Sequence, residues 1–486
     1  MVFDIVPQTA SGGPLAGDRL GIIYCRNSQG AEVRGTILRL TRHSAVFEVY
    51  NPYSILQLSE VLSELQISVN ERVLYSGRAV ISNLLNAGIM LVLEAALEEE
   101  GWRNVDAFNP LGDLKRLSGE LADFLQDSKR VFQVNPEFKL VVSDIQSILV
   151  DLRRWMEQVE FGVNTLPATD RDHVELEIIR SLEDPVVPVM LPLMRKFEGI
   201  AGEIPPEQQP VHRSYIKRQL HPLVLCAPFV YRTFVKPLGY AGDYEMVSMM
   251  LRDPYEGGST YAKLLNKLYL EIPPVIAHRN RITYLVERLS EETQRMKTLG
   301  RRAQVFNLGC GPAQEIQRFL KDQPISDEAD LTLLDFNDET IENTAATTRK
   351  NAVEHGRRTG LSFVKKSVQQ VLKESMKSGG PEAGRYDLVY CAGLFDYLSD
   401  RICRRLLEIF YDMLAPGGLL IATNVHPSND WKNWMEYLAE WHLVYRDEQQ
   451  FLALAPSAAS PDSIRVIPDA TGVNIFLEVR KPDVPS

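Results

Sequence analysis

Apolar positions change their rhythm twice along the chain. Between residues 18 and 98 they fall in short runs rich in β-branched side chains: 21–26, the turn Asn27-Ser28-Gln29-Gly30, then 32–40 and 45–50. Segments 71–84 and 88–94 read as another hairpin, turning around Asn83-Leu84-Leu85-Asn86. Strands repeating about every 10 residues predict a small β-barrel or sandwich. Residues 55–65 fit a helix or a strand pair equally, because periodicity does not separate the two over so short a run. From about 105 to 290 the rhythm is helical. Leu111, Leu114, Leu117, Leu121 and Leu125 recur three and four apart, one face of an amphipathic helix. Segments 138–163 and 173–179 repeat this pattern, and 276–296 is a helix ending near Gly300. Pro185, Pro188, Pro192, Pro205, Pro206 and Pro210 are expected to mark helix ends and loops.

After Gly300 the apolar runs 304–308, 331–334, 361–364, 386–391 and 418–423 alternate with helical stretches or loops. That βαβ order predicts an α/β fold with a parallel sheet covered on both faces. Segments 440–447, 451–455 and 473–479 are candidates for the last strands. The expected division is a β-barrel over 1–100, a helical region over 101–275 acting as lid, acceptor-binding or dimerisation unit, and an α/β domain over 276–486.

Composition narrows the classes. The 486 residues are 45% hydrophobic and 24% charged, ordinary for a globular chain, with a formal net charge of −11. An acidic surface argues against charge-driven nucleic-acid binding. The apolar runs fall far short of the roughly 20 residues needed to span a bilayer. The N-terminal MVFDIVPQTASGG lacks the basic start and apolar core of a secretory signal. The five cysteines are widely spaced and form no C-x-x-C pair, so a disulfide framework or zinc site is not expected and a reducing cytoplasm is. No metal site is anticipated.

Four elements carry chemistry. Val305-Phe306-Asn307-Leu308-Gly309-Cys310-Gly311-Pro312-Ala313 is a buried strand running into a glycine-rich turn that opens a helix, where missing Cβ atoms let the backbone approach a ligand. The next strand, Leu331-Thr332-Leu333-Leu334-Asp335, ends in an acid that can accept hydrogen bonds from both ribose hydroxyls. Tyr386-Asp387-Leu388-Val389-Tyr390-Cys391-Ala392-Gly393 is a strand opening into small residues. Met413-Leu414-Ala415-Pro416-Gly417-Gly418-Leu419-Leu420-Ile421 is a helix end, a turn and a strand.

In this order the four elements resemble the class I S-adenosylmethionine (SAM)-dependent methyltransferases, which implies a Rossmann-like domain with SAM as cofactor. A dinucleotide-binding dehydrogenase would show a third glycine where Gln314 stands. By this resemblance Gly309 and Gly311 would cradle the methionine end of SAM, Asn307 and Cys310 would belong to the same cofactor site, and Asp335 would bind the ribose. Phe336, Ser367 and Val368 would flank the adenine, although an acidic residue common near that place in the family is absent here. Cys391, Ala392 and Gly393 would border the sulfonium. Cys310 reads as packing rather than as a nucleophile. The N-P-P-Y motif of nucleic-acid amino-methyltransferases is missing, since its place reads Ala392-Gly393-Leu394-Phe395-Asp396-Tyr397. Asn51-Pro52-Tyr53 sits far from the SAM motif and reads as a turn.

Further segments carry a second resemblance. Pro237-Leu238-Gly239-Tyr240-Ala241-Gly242-Asp243-Tyr244-Glu245, His278-Arg279-Asn280-Arg281-Ile282, the Gly-Leu-Phe-Asp-Tyr-Leu segment at 393–398 and Thr423-Asn424-Val425-His426-Pro427 resemble the bacterial extracellular-factor 3-hydroxy-fatty-acid methyl ester synthases over residues 230–480. This implies methyl transfer to the carboxylate of a small or lipid-like acid. A carboxylate is already deprotonated at pH 7, so alignment and exclusion of water suffice. A hydroxyl or amine acceptor would need a base, and His426, Asp396 and Tyr244 are the catalytic candidates. Tyr240, Asp243, Arg279 and Tyr397 are the substrate-binding candidates, with Arg279 suited to a carboxylate. Rival readings are an N- or O-methyltransferase of another small metabolite and a non-catalytic SAM- or cyclic-di-GMP-binding regulator. A homodimer is among the partner arrangements considered.

The N-terminal barrel resembles a PilZ domain, the cyclic-di-GMP receptor module, which binds through an R-x-x-x-R run and a [DN]-x-S-x-x-G turn. Here the turn reads Arg39-Leu40-Thr41-Arg42-His43-Ser44, without the acid or amide and without the glycine. A PilZ-like fold that has lost dinucleotide binding is therefore expected, with a residual role in interdomain packing or dimerisation.

Overall fold

The computed structural model describes residues 21–28, 30–50, 56–69, 72–86, 90–102, 134–375 and 383–483. The N-terminal segment, the Asn51-Pro52-Tyr53 triplet and the leucine series 111–125 lie outside the described residues.

Six strands close a barrel in the order β1-β2-β3-β6-β5-β4: β1 (Ile22–Arg26), β2 (Glu32–Leu40), β3 (Ser44–Tyr50), β4 (Val61–Val69), β5 (Arg72–Asn86) and β6 (Met90–Leu97). Antiparallel pairing of β1 with β4 completes the closure and removes the sheet edges. The two-residue alternation points Ile23, Cys25, Phe47, Leu65, Ile67, Tyr75, Ile81 and Leu93 inward. Of the ambiguous 55–65 segment, the described residues 56–65 form a loop followed by the start of β4. Residues 83–86, expected as a turn, instead continue β5, pairing Asn83 with Glu94 and Leu84 with Leu93 after a bulge at Ile81/Asn83.

Helices follow: α1 (Pro136–Asn164), α2 (Ala168–Gly202), α3 (Gln209–Val224), α4 (Pro228–Val235), α5 (Tyr244–Met249), α6 (Thr260–Leu270) and α7 (Pro273–Thr298). Asn135 starts α1, its Oδ1 accepting from the N–H groups of Glu137 and Phe138, with Pro136 at the first helical position. Phe138, Val142, Ile145 and Leu149 repeat at helical spacing and pack on Phe197 and Ile216. Pro185, Pro188 and Pro192, expected at helix ends, lie inside α2. All three are exposed and share one face, so the carbonyls they leave without a partner face water.

The rest of the chain is α/β: β7 (Ala303–Leu308), α8 (Gln314–Asp322), β8 (Ala329–Asp335), α9 (Asp338–Glu354), β9 (Gly360–Lys365), α10 (Val368–Ser375), β10 (Tyr386–Cys391), α11 (Asp400–Met413), β11 (Leu414–Val425), α12 (Lys432–Leu438), α13 (Glu448–Leu452), β12 (Ile464–Pro468) and β13 (Asn474–Arg480). The seven-stranded sheet has the order β12-β13-β11-β10-β7-β8-β9. It is mixed rather than all parallel, since β13 runs antiparallel to β11 and β12. The order reverses at β7, between β10 and β8, and ligands of open α/β sheets bind at such a switch point.

Two of the expected late strands are not strands. Residues 440–447 are irregular but satisfied: the N–H groups of His442, Val444 and Arg446 donate to Ser59 Oγ, Asp396 O and Val425 O. Burial without a ladder gave that segment its strand-like composition. Residues 448–452 form α13, begun by an Asp447/Gln450 capping box. Among the described residues no helix is long and apolar enough to cross a membrane.

Candidate active site

A cavity of about 170 Å³ opens at the carboxyl ends of β7, β8 and β10. One half is built by the glycine-rich turn. The N–H groups of Gly309 and Cys310 both donate to Leu334 O, which folds the turn back over β8. Gly309 and Gly311 take φ of +71° and +49°, a region that favours glycine. A Cβ at Gly311 would meet nothing within 4 Å, so the turn leaves free space at that point. Asp335 closes this half, its Oδ2 accepting from Gly311 N at 3.1 Å and its Oδ1 from Asn337 N at 3.1 Å. Burial raises its pKa, and those N–H groups oppose the rise.

Asn307 is buried and its Oδ1 has no partner among the described residues. Nearby, the buried Glu315 accepts from Tyr390 Oη at 2.8 Å. Burial raises the Glu315 pKa, opposed by that hydrogen bond. An unused acceptor, open space beside a glycine and a carboxylate at the end of the second strand match the needs of an ammonium, a chain and a ribose. The residues present therefore fit SAM.

The other half is bounded by α5, α7, the loop ahead of α5 and the segments after β11. Tyr240 stacks obliquely on Phe336 with centroids 5.0 Å apart. Gly242, at φ +77°, lies close enough to Tyr397 that a Cβ would sit 3.1 Å from its Oη. Trp441 Nε1 donates to the same hydroxyl at 2.8 Å. Burial pushes the Tyr240 and Tyr397 phenols up, so both stay protonated. Met246, Val247, Met250, Ile282, Met435 and Leu443 supply an apolar wall. Gln57, from the barrel, also reaches this cavity.

Of the residues singled out in sequence, Asn307, Gly309, Cys310, Gly311, Asp335, Phe336, Val368, Ala392, Gly393, Tyr240, Tyr244, Asp396 and Tyr397 line this one cavity. Others lie beside it. Cys391 is fully buried in β10, and Ser367 exchanges hydrogen bonds with Gln370 at the start of α10. Asp243 caps α5, accepting from Met246 N and Arg232 Nε, both at 2.8 Å. Arg279 donates to Met250 O at 2.9 Å and pairs with Glu271 at 3.2 Å. His426 is held by Ser428 at 2.7 Å and Glu448 at 3.2 Å. Tyr244 Oη donates to Glu339 at 2.8 Å, and burial together with that carboxylate pushes its pKa up to about 12. Asp396 accepts from Val425 N at 2.7 Å. Burial raises its pKa against that bond and the nearby Arg281.

Sequence reading missed His278, Arg281, Asn429, Trp441 and Asn474, which also line the cavity. A signal existed for two of them. On α7 the buried face runs Ala277, His278, Ile282, Leu285, and Arg281 falls on that face while Arg279 does not.

Residues 306–420 match a family described as a methyltransferase domain. With the site above, the protein carries a class I methyltransferase domain, is a SAM-dependent methyltransferase, and takes SAM as cofactor. Its fold is similar to those of several solved proteins. The N-methyltransferase NodS from Bradyrhizobium japonicum WM9, in complex with S-adenosyl-L-homocysteine (SAH), is 17% identical over 49% of this chain and 98% of that one, with a TM-score of 0.30. An O-methyltransferase family protein from Burkholderia thailandensis is 15% identical over 57% of this chain and 73% of that one, TM-score 0.31. Magnesium protoporphyrin IX methyltransferase from Synechocystis PCC 6803, with SAH, is 11% identical over 42% and 84%, TM-score 0.30. Likenesses of this degree say nothing of the acceptor. No curated protein matches the chain.

Proposed function

We propose that the protein methylates the carboxylate of a small or lipid-like acid, with a 3-hydroxy fatty acid as the favoured acceptor and a methyl ester as product. The observation that carries this reading is the mixed lining of the cavity, where an apolar wall of Met246, Val247, Met250, Ile282, Met435 and Leu443 stands beside the polar groups Arg281, His278 and Asn474. An apolar wall ending in polar groups suits an amphipathic acid.

When bound, SAM supplies a methyl group on an electron-poor sulfur. The chain's residues need to orient the acceptor oxygen and exclude water. No base is required of them, because a carboxylate is ionised at neutral pH. The lining is consistent with that economy. Tyr240, Tyr244 and Tyr397 are held protonated. His278 has its pKa held far below the ordinary value, first by burial and then by Arg281 and Arg279, so it is a weak base. Asp396 Oδ1 is engaged by Val425 N.

The test is incubation with labelled SAM and a panel of 3-hydroxy and unsubstituted acids, with methyl esters read by mass spectrometry. Ester formation is expected. Turnover on an amine or phenol, with none on any acid, would overturn the proposal.

The PilZ-like reading of the barrel belongs to the same proposal, with a packing role in place of dinucleotide binding. Contacts between the barrel and the acceptor side support it: Val61 N donates to Gly239 O at 2.7 Å, and Arg78 Nη2 to Phe234 O at 2.9 Å. The five cysteines, all unpaired, support a reducing, cytoplasmic setting.

A further inference from the structure

Arg281 is an unusual resident of this cavity. It lies on the inner face of α7, where its Nη2 approaches His278 Nδ1 at 2.7 Å. That imidazole is neutral, so it accepts from the guanidinium without balancing its charge. Among the described residues no carboxylate comes within 4.0 Å of Arg281. The charged or titratable groups around it are Asp396, Glu315, Tyr397 and Cys391, at longer range. Most other arginines of the site region are paired: Arg232 with Asp243, Arg279 with Glu271, Arg252 with Glu245 and Glu256.

The backbone has made room for this side chain. Gly393, at the end of β10, takes φ +87°, and a Cβ there would stand 2.7 Å from Nη1 and 3.0 Å from Nη2. A half-buried cation with no carboxylate in direct contact is favoured when an anion joins it. A guanidinium offers five donors in a planar fork, which matches the two oxygens of a carboxylate. Its place beside Gly393 is where the cofactor half meets the acceptor half.

We infer that Arg281, positioned by His278 and given room by Gly393, anchors a ligand carboxylate at the junction of the two halves. Two carboxylates come to that point: the one at the methionine end of SAM and, if the proposed acceptor holds, that of the acid. The inference rests on the methyl-ester reading for the second source alone.

Calorimetry on the full chain separates the sources. The variants are Arg281→Gln and Arg281→Lys. The probes are SAH, 5′-methylthioadenosine (which keeps the nucleoside and sulfur but lacks the amino-acid end) and dodecanoate added to SAH-loaded protein. If the cofactor's carboxylate is held, Arg281→Gln weakens SAH about 10- to 100-fold, leaves methylthioadenosine unchanged, and Arg281→Lys recovers part of the loss. If the acceptor's is held, SAH binding is unchanged and dodecanoate binding is lost. Should Arg281→Gln not fold, Arg281→Lys and the wild-type preference for SAH over methylthioadenosine still decide. Arg281→Gln binding SAH and dodecanoate as the wild type does would overturn the inference. So would a wild type that neither prefers SAH over methylthioadenosine nor binds dodecanoate. A failed search for ester product leaves the SAH comparison intact, so the two proposals fail separately.

Discussion

Replacing Glu440 by Gln tests whether one buried carboxylate fastens the barrel to the rest of the chain. Glu440 is nearly inaccessible and takes the left-handed backbone conformation, φ +50°. It pairs with Lys217 on α3 and lies 3.5 Å from Arg78 on β5. Lys236 is close by, its Nζ donating to Ala439 O at 2.8 Å. The carboxyl is held far below its usual range, burial opposing and Lys217, Arg78 and Lys236 prevailing. Arg78 would keep Glu98, 2.6 Å away, but Lys217 would lose its carboxylate partner. Breaking a buried pair from one side costs about 3–5 kcal/mol. The lower end is expected, because Lys236, whose pKa burial brings to about 7, can shed its proton. The sign of the pH effect follows. A lysine with a depressed folded pKa loses stability as pH falls from its unfolded value toward its folded one. Without Glu440 that window extends below pH 7, so the cost of the substitution grows by about 1 kcal/mol between pH 8 and pH 6. Urea denaturation followed by tryptophan fluorescence at both pH values is the assay. A loss under about 1 kcal/mol at pH 7, or a cost that shrinks at pH 6, would refute the reasoning.

Three other outcomes are expected. Asp335→Ala weakens SAH about 100-fold or more by calorimetry and weakens methylthioadenosine in parallel, since both carry the ribose; a selective loss of SAH would move Asp335 away from the sugar. Glu198, which accepts from Trp434 N at 2.6 Å and Asn433 N at 2.9 Å, has its pKa raised to about 7 by burial. An acid raised in this way stabilises while protonated, so stability falls between about pH 4.5 and pH 7, by at most about 3 kcal/mol, and Glu198→Gln flattens that slope in thermal melts. His426→Gln keeps turnover close to wild type, because the ring lies beside rather than in the cavity lining; a fall of about 100-fold or more would give it the weight of a general base.

The cofactor half was legible because its chemistry is local: the Gly309 turn, Asp335 and Gly393 each close a strand within a few residues. The acceptor half was legible only in part: Tyr240, Tyr244 and Tyr397 line it as expected, but the rest of its lining comes from distant segments. Gln57, Arg281, Trp441 and Asn474 meet only in three dimensions. Helical phase could have favoured Arg281 over Arg279, whereas no periodicity marks Trp441, which sits in an irregular segment held by Ser59. Prolines misled in α2 because they lie on an exposed face, where water can satisfy the carbonyls they leave unpaired. The parallel sheet was overdrawn because a run such as 474–479, buried throughout, reads the same in either direction.

The place of β13 bears on how the protein comes into being at the ribosome. β12 is made first yet pairs with nothing among the described strands except β13, which slips between it and β11. The same arrival brings Val473 and Asn474 to the cavity, with Asn474 Nδ2 reaching Ala277 O at 3.3 Å. Chains leave the ribosome from the N-terminus onward, and domains fold as they emerge. The barrel can therefore close hundreds of residues before the methyl-transfer chamber exists. A nascent chain stalled short of residue 480 would carry a finished barrel, a helical region and an unfinished sheet, and would not yet hold the complete lining for its methyl donor.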